Sequence, residues 1–234
     1  MTDELSILVL TAASVGVMHT LLGPDHYIPF IAMSKAGGWS KWKTMWVTIL
    51  CGFGHVGSTI LLGIVGIAFG YSVFHLESIE SYRGDIAGWL LLIFGLLYMI
   101  WGIRRAVLNT PHTHSHIHHD GSMEVHSHEH AHGHRHTEQT SPMRIWIIFT
   151  IFVFGPCEPL IPVLMYPAAR GSMSDVIIVS TVFSLVTIGT MLTIVFSALY
   201  GIALIPMKKM EQYSHALGGF AIFMCGVAVQ FLGL

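Results

Sequence analysis

The chain has 234 residues, 53% of them hydrophobic and only 10% charged, with a net charge of −2 and a mean hydropathy of +0.66. Soluble domains carry about 25% charged residues, so this composition argues against a cytosolic enzyme or a disordered regulator, and the missing basic surplus argues against a nucleic-acid binder. The 3 cysteines are too few for a disulfide scaffold, and the 16 histidines outnumber the 11 Lys and Arg and the 13 Asp and Glu.

A bilayer-crossing helix needs about 20 mainly apolar residues. Six stretches qualify in chain order: Leu5–Leu22, Met45–Tyr71, Ile86–Ile103, Ile145–Leu164, Val176–Ile205 and Ala216–Leu234. The first starts with Thr2, Asp3 and Glu4 rather than a basic segment, so it reads as a span and not as a signal peptide. With the N-terminus outside, nine basic residues (Lys35, Lys41, Lys43, Arg104, Arg105, Arg135, Arg144, Lys208, Lys209) fall in cytoplasmic loops, and only Arg83 and Arg170 fall outside. Positive charge stays on the cytoplasmic side, so both termini are expected outside, and the 104–144 loop in the cytoplasm of a bacterial or archaeal cell.

The loop separates two related halves of three spans. Gly23-Pro24-Asp25-His26 near the end of span one corresponds to Gly155-Pro156-Cys157-Glu158 in span four, each followed by a further proline, Pro29 or Pro162. In span two, His55-x-Gly57-Ser58 corresponds to Thr187-x-Gly189-Thr190 in span five, and Asp85-x-x-Gly88 before span three to His215-x-x-Gly218 before span six. Three spans per half invert the second half relative to the first, as in transporters that bind substrate at the repeat interface. The expected fold is therefore an all-α integral membrane protein of six helices in a 3+3 inverted repeat. Helices one and four are broken, and the regions are 1–108, 109–142 and 143–234.

Proline removes a helix hydrogen bond, and bilayer depth tolerates freed carbonyls only where they face protein or a watery cavity. Prolines that merely kink a helix do not need ionisable neighbours. Here Asp25, His26 and Glu158 sit at the breaks, with His19 seven residues before His26 and His55 in span two among Gly52, Gly54 and Gly57. Intramembrane ionisable groups mark functional sites. A lone membrane histidine is more often a structural hydrogen-bond group, but three with a neighbouring aspartate reverse that preference. Imidazole with carboxylate suits a divalent transition metal, so His19, Asp25, His26 and His55 form the expected site, with Cys157 and Glu158 from the second half. Cys157 could equally be a small buried thiol like Cys51 and Cys225, and Glu158 could instead carry protons. His75 and His215 read as interfacial.

Eleven histidines lie between residues 112 and 136, mostly alternating: His112, His114, His116, His118 and His119, then His126, His128, His130, His132, His134 and His136. This is compositional metal-binding sequence, with too little apolar content for a core. Disorder and accessory metal capture are expected, and pH sensing is the lesser alternative.

These residues resemble the nickel/cobalt transporter superfamily, most of all its small six-span members of the urease-accessory type. The resemblance rests on Gly16-x-x-His19 with Gly23-Pro24-Asp25-His26, on Gly52-x-Gly54-His55 and on the His-rich loop. Five residues separate His19 from Asp25, where the permease motif has four. The resemblance implies metal recognition by His19, Asp25, His26 and His55. The second half is also similar to membrane thiol-disulfide carriers of the DsbD/CcdA type, through Gly155-Pro156-Cys157-Glu158-Pro159-Leu160-Ile161-Pro162. Those carriers use a cysteine in each half, whereas the first-half position here holds Asp25-His26.

The leading expectation is a non-enzymatic secondary transporter for a divalent metal, nickel or cobalt first and zinc or iron next, exporting it in exchange for protons. No cofactor beyond the transported ion is expected. The expected partners are that ion and the lipid bilayer, with no nucleic acid and with a homodimer left open. The alternatives are a thiol-disulfide carrier of DsbD/CcdA type and a metal-delivery accessory protein for urease or hydrogenase. Sulfite export is less compatible, because the spans lack Arg and Lys.

Overall fold

A computed structural model describes residues 3–108, 112–117, 123–128, 142–203 and 212–233. Its helices are α1 (Asp3–Leu22), a short 3-10 turn (Pro24–His26), α2 (Ile28–Ala36), α3 (Lys41–Phe69), α4 (Val73–Leu108), α5 (Pro142–Phe154), α6 (Leu160–Ala169), α7 (Met173–Ala203) and α8 (Ser214–Leu232). Five of them, α1, α3, α4, α7 and α8, are long and apolar enough to cross a bilayer, and α5 and α6 are shorter apolar helices. The chain is an integral membrane protein. Leu10, Phe53, Leu97, Leu185 and Phe231 are all exposed. A surface this apolar is stable only against lipid.

The breaks lie where the prolines placed them. Expected span one is continued beyond Gly23 by the 3-10 turn and α2, and expected span four divides into α5 and α6 around residues 155–159. The third span differs. Rather than starting at Ile86, α4 starts at Val73 and runs 36 residues, about 54 Å at 1.5 Å per residue. Glu80 and Arg83, expected in an outer loop, are therefore helical. Their charges lower the local hydropathy, but they lie one turn apart and neutralise each other.

α4 and α8 meet backbone to backbone. A Cβ on Gly95 would lie 2.3 Å from the Phe223 nitrogen, one on Gly219 2.2 Å from the Met99 nitrogen, and one on Gly102 2.4 Å from the Ala216 nitrogen. Lipid supplies no hydrophobic force between helices, so small residues that permit such approach hold them together. Gly52 and Gly54 on α3 admit Ile188 and Phe149 in the same way, whereas Gly57 faces open space.

Charges sort to the two ends of the bundle. Arg144 stacks 4.6 Å from the Trp101 ring and Arg105 5.4 Å from it, joining the end of α4 to the start of α5. Trp42, Trp46 and Trp146 are exposed toward this basic end, as in an interfacial aromatic belt. Elsewhere, at the start of α1, Glu4 pairs with Arg170 and accepts a 3.0 Å hydrogen bond from Tyr166.

Two apolar clusters fill the interior. One gathers Phe30, Met33, Cys51, Phe152, Met191, Ile222 and Cys225, and the other Ala12, Val56, Cys157, Leu160, Leu164 and Phe183. His215 is buried at the start of α8, against Trp101 at the basic end. Its Nδ1 lies 2.7 Å from the Tyr98 hydroxyl.

The His-rich loop corrects the expectation of uniform disorder. Strands β1 (His112–Ile117) and β2 (Met123–His128) pair antiparallel, with His112 opposite His128 and Ile117 opposite Met123. Alternation with period two, which the loop was read as offering to metals, is also the period of a β-strand. The strands account for His112, His114, His116, His126 and His128 only as backbone. His118, His119, His130, His132, His134 and His136, with the loop's expected metal capture, lie outside the described residues.

Candidate functional site

The two breaks converge on one buried centre. Gly23 ends α1, and Pro24 then starts the 3-10 turn, because its φ suits a helical first turn and it needs no donor. This turns His26 inward, where it is only 2% exposed. Gly23 is needed for that fold-back, since a Cβ there would lie 2.6 Å from His26 Nδ1 and 2.8 Å from Asp25 Oδ1. His26 Nδ1 faces two acceptors, Asp25 Oδ1 at 2.9 Å and the Gly23 carbonyl at 3.1 Å. Nδ1 therefore carries a proton, and in the neutral imidazole Nε2 presents a lone pair.

That lone pair points at His55, whose Nε2 lies 3.2 Å away. His55 is fully buried on α3 and also hydrogen-bonds the backbone of Phe152. With Nε2 turned to His26, that bond leaves from Nδ1, and in the neutral ring His55 Nε2 is bare as well. His19, half-buried in the last turn of α1, stacks parallel to His55 with ring centroids 5.9 Å apart and meets His26 edge-on at 4.6 Å. Its Nε2 is 3.7 Å from Cys157 Sγ. One ligand atom from each of His19, His55 and Cys157 lies within 4.8 Å of the others, which makes this trio a donor set able to hold a metal ion among the described residues. A small cavity of about 20 Å³, room for roughly one water, is lined by Asp25, His55, Gly155 and Pro156.

The second break is held by a pair absent from the expected site. In an unbroken helix the Cys157 N–H would donate to the Val153 carbonyl four residues back. Here the Cys157 N–H donates instead to Glu80 Oε2 at 2.9 Å, and the Val153 carbonyl accepts from Arg83 Nη2 at 2.7 Å. Glu80 and Arg83 are themselves joined as an ion pair, so α4 inserts a salt bridge into the severed hydrogen bond. Glu80 is fully buried and also accepts from Thr59 at 3.1 Å, while Arg83 donates to Ser58 at 2.5 Å. Gly84 completes the seat, for a Cβ there would meet Pro156 at 2.9 Å. A Glu-x-x-Arg pair beside a glycine, just ahead of the apolar run from Ile86, is the sequence signal that could have revealed this clamp.

The structure thus brings together His19, Asp25, His26, His55 and Cys157. Glu158 sits apart on an exposed face, lining an open cavity of about 760 Å³ with Glu77, Asp85, Pro159 and Pro162. Cys51 and Cys225 are free and buried in the other apolar cluster from Cys157.

Paired helix breaks that enclose one thiol among imidazoles define a polytopic membrane protein with a sulfur–imidazole centre. Residues 28–228 match the family described as cytochrome C biogenesis protein transmembrane region, and the chain belongs to that family. No curated protein and no solved structure matches it. The family match overturns the resemblance to nickel/cobalt transporters and with it the expectation of a divalent-metal exporter. Much of that resemblance rested on Gly16 to His26, which precede the matched residues, whereas Gly155–Pro162 lies within them. The thiol-carrier alternative is the one the family supports.

Proposed function

We propose that the chain is a membrane carrier of reducing equivalents that works by thiol-disulfide exchange through Cys157, in the manner of the DsbD/CcdA type. The observation that carries the reading is the Cys157 thiol at the second break, 3.7 Å from a histidine nitrogen, inside the family-matched residues. The thiolate is the attacking species in disulfide exchange, and a positioned imidazole is the usual base for making one.

His19 Nε2 takes the Cys157 proton, and the thiolate attacks one sulfur of an incoming disulfide. A Cys157–partner disulfide forms, and the other partner sulfur leaves as a thiolate that recovers the proton from His19. One thiol of a dithiol electron donor then attacks the Cys157 sulfur of the mixed disulfide, releasing the partner's second sulfur as a thiol, and the donor's other thiol attacks the donor sulfur to close the donor's own disulfide. This passes two electrons onward and returns Cys157 as thiolate, which His19 reprotonates. The donor must supply the second thiol, because Asp25 and His26 stand where a carrier with one cysteine per half has its other cysteine. Glu80 and Arg83 hold the backbone of Cys157 in place for the attack.

The matching breaks support the reading of a 3+3 inverted repeat, with the thiol at its interface. The charge distribution supports the same sidedness, with the basic ends of α2, α4 and α5 in the cytoplasm. Arg83, half-buried in α4 and paired with Glu80, drops out of the outer count. The test is exchange by the purified protein in liposomes carrying a dithiol inside and a disulfide-bonded probe protein outside. Wild type should reduce the probe and Cys157→Ser should not. Equal reduction by both would refute the reading.

A further inference from the structure

We infer that His19, His55 and Cys157, with His26 Nε2 3.2 Å from His55 Nε2 beside them, form a resident binding site for one borderline-soft cation of the Zn²⁺ type. The inference goes beyond the exchange reaction. It needs the Cys157 thiol but does not depend on that thiol attacking disulfides.

Three observations carry it. The first is the donor chemistry. Two imidazoles and a thiolate, each offering a ligand atom within 4.8 Å of the others, are ligands for zinc rather than for Mg²⁺ or Ca²⁺, which take oxygen donors. The second is the pair of facing nitrogens. His26 Nδ1 is committed to Asp25 and the Gly23 carbonyl, and His55 donates to Phe152, so the two bare Nε2 atoms oppose each other at 3.2 Å. Two lone pairs at that separation repel unless a proton or a metal ion joins them, and the test below separates the two.

The third is the spacing. With Zn–N of about 2.05 Å and Zn–S of about 2.3 Å, a tetrahedral ion separates two nitrogens by about 3.3 Å, and a nitrogen from a sulfur by about 3.6 Å. The structure has 3.2 Å for His26 Nε2 to His55 Nε2 and 3.7 Å for His19 Nε2 to Cys157 Sγ. Asp25, behind His26, supplies the carboxylate–histidine support that fixes ring orientation in zinc sites.

A bound ion has a functional consequence. It takes Cys157 as thiolate, releases the thiol proton and occupies the sulfur lone pair needed to attack a disulfide. Metal occupancy and thiol exchange are therefore mutually exclusive states of one centre.

The test uses the full-length protein and Co²⁺ as a coloured stand-in for Zn²⁺. Thiolate coordination gives a near-ultraviolet sulfur-to-cobalt charge-transfer band. The His-rich loop cannot produce that band, because all three cysteines lie elsewhere. The band should appear at one equivalent per chain in wild type, Cys51→Ser and Cys225→Ser, vanish in Cys157→Ser, and bleach when Zn²⁺ is added. His19→Gln and His55→Gln should weaken Co²⁺ binding at the band by about 100-fold, and Asp25→Asn by about 10-fold, as for a supporting partner. No band in wild type at saturating Co²⁺ would overturn the inference and indicate a shared proton between His26 and His55. A band that persists in Cys157→Ser would overturn it too. Neither result depends on Cys157→Ser folding normally, since the first is read on wild type and the second shows the variant binding metal. Disulfide exchange by metal-free protein is scored separately, so the inference can fail while the carrier reading stands, and the reverse.

Discussion

Replacing Glu80 by glutamine keeps the side chain's shape and one acceptor oxygen but removes its charge, leaving Arg83 without its carboxylate. Removing one member of a buried ion pair costs about 3–5 kcal/mol, because the remaining charge is uncompensated. Glu80 is fully buried while the Arg83 side chain is 16% exposed, and Arg83 keeps its bonds to the Val153 carbonyl and Ser58. The lower end, about 3 kcal/mol, is the expected loss, or roughly a hundredfold in the folding equilibrium. Arg83→Gln should cost a similar amount, because it strands the Glu80 carboxylate and frees the Val153 carbonyl. The double variant, with two amides that hydrogen-bond each other, should lose no more than either single variant, a coupling energy of about 3 kcal/mol. The assay is denaturant unfolding of all four proteins in detergent, followed by intrinsic fluorescence. Single-variant losses that simply add in the double variant would refute the claim that the pair acts as a unit across the helix break.

Gly155→Ala places a Cβ 3.0 Å from His55 Nδ1; it should displace the ring and change the rate of Cys157 alkylation while the protein stays folded, which a thiol-labelling time course checks. Gly95→Leu inserts a side chain where Gly95 has only 2.3 Å to the Phe223 backbone, so it should separate α4 from α8 and abolish recovery of folded protein on size exclusion, whereas Gly57→Leu, facing open space, should not. Deleting Pro111–Gln139, the loop that holds the hairpin, should leave disulfide exchange in liposomes within about twofold of wild type, because no reacting group of the proposed cycle lies there.

Much of the site could be read from the chain. Both helix breaks follow from Gly-Pro pairs inside apolar runs, since proline ends the ladder wherever it falls. His19, Asp25, His26, His55 and Cys157 stood out because ionisable and thiol groups at bilayer depth are costly and few. Their mutual spacing was not legible, because it depends on how α3 meets the two breaks, and no local pattern encodes that. The early start of α4 was hidden by Glu80 and Arg83, whose charges look like loop residues until their one-turn pairing is recognised. The functional class was drawn toward metals by the abundance of histidine, most of it in the loop. The single cysteine at the second break, within the family-matched residues, carried more information than the sixteen imidazoles.

The central claim is that Cys157 forms a covalent bond to its partner during turnover. The direct measurement is an acid quench of metal-free protein during exchange with a disulfide-bonded probe, with alkylation of remaining thiols and mass mapping of the cysteines. A mixed disulfide on Cys157 is predicted, with Cys51 and Cys225 alkylated only after unfolding. Turnover that proceeds with Cys157 always recovered as a free thiol, or an adduct found only on Cys51 or Cys225, would contradict it.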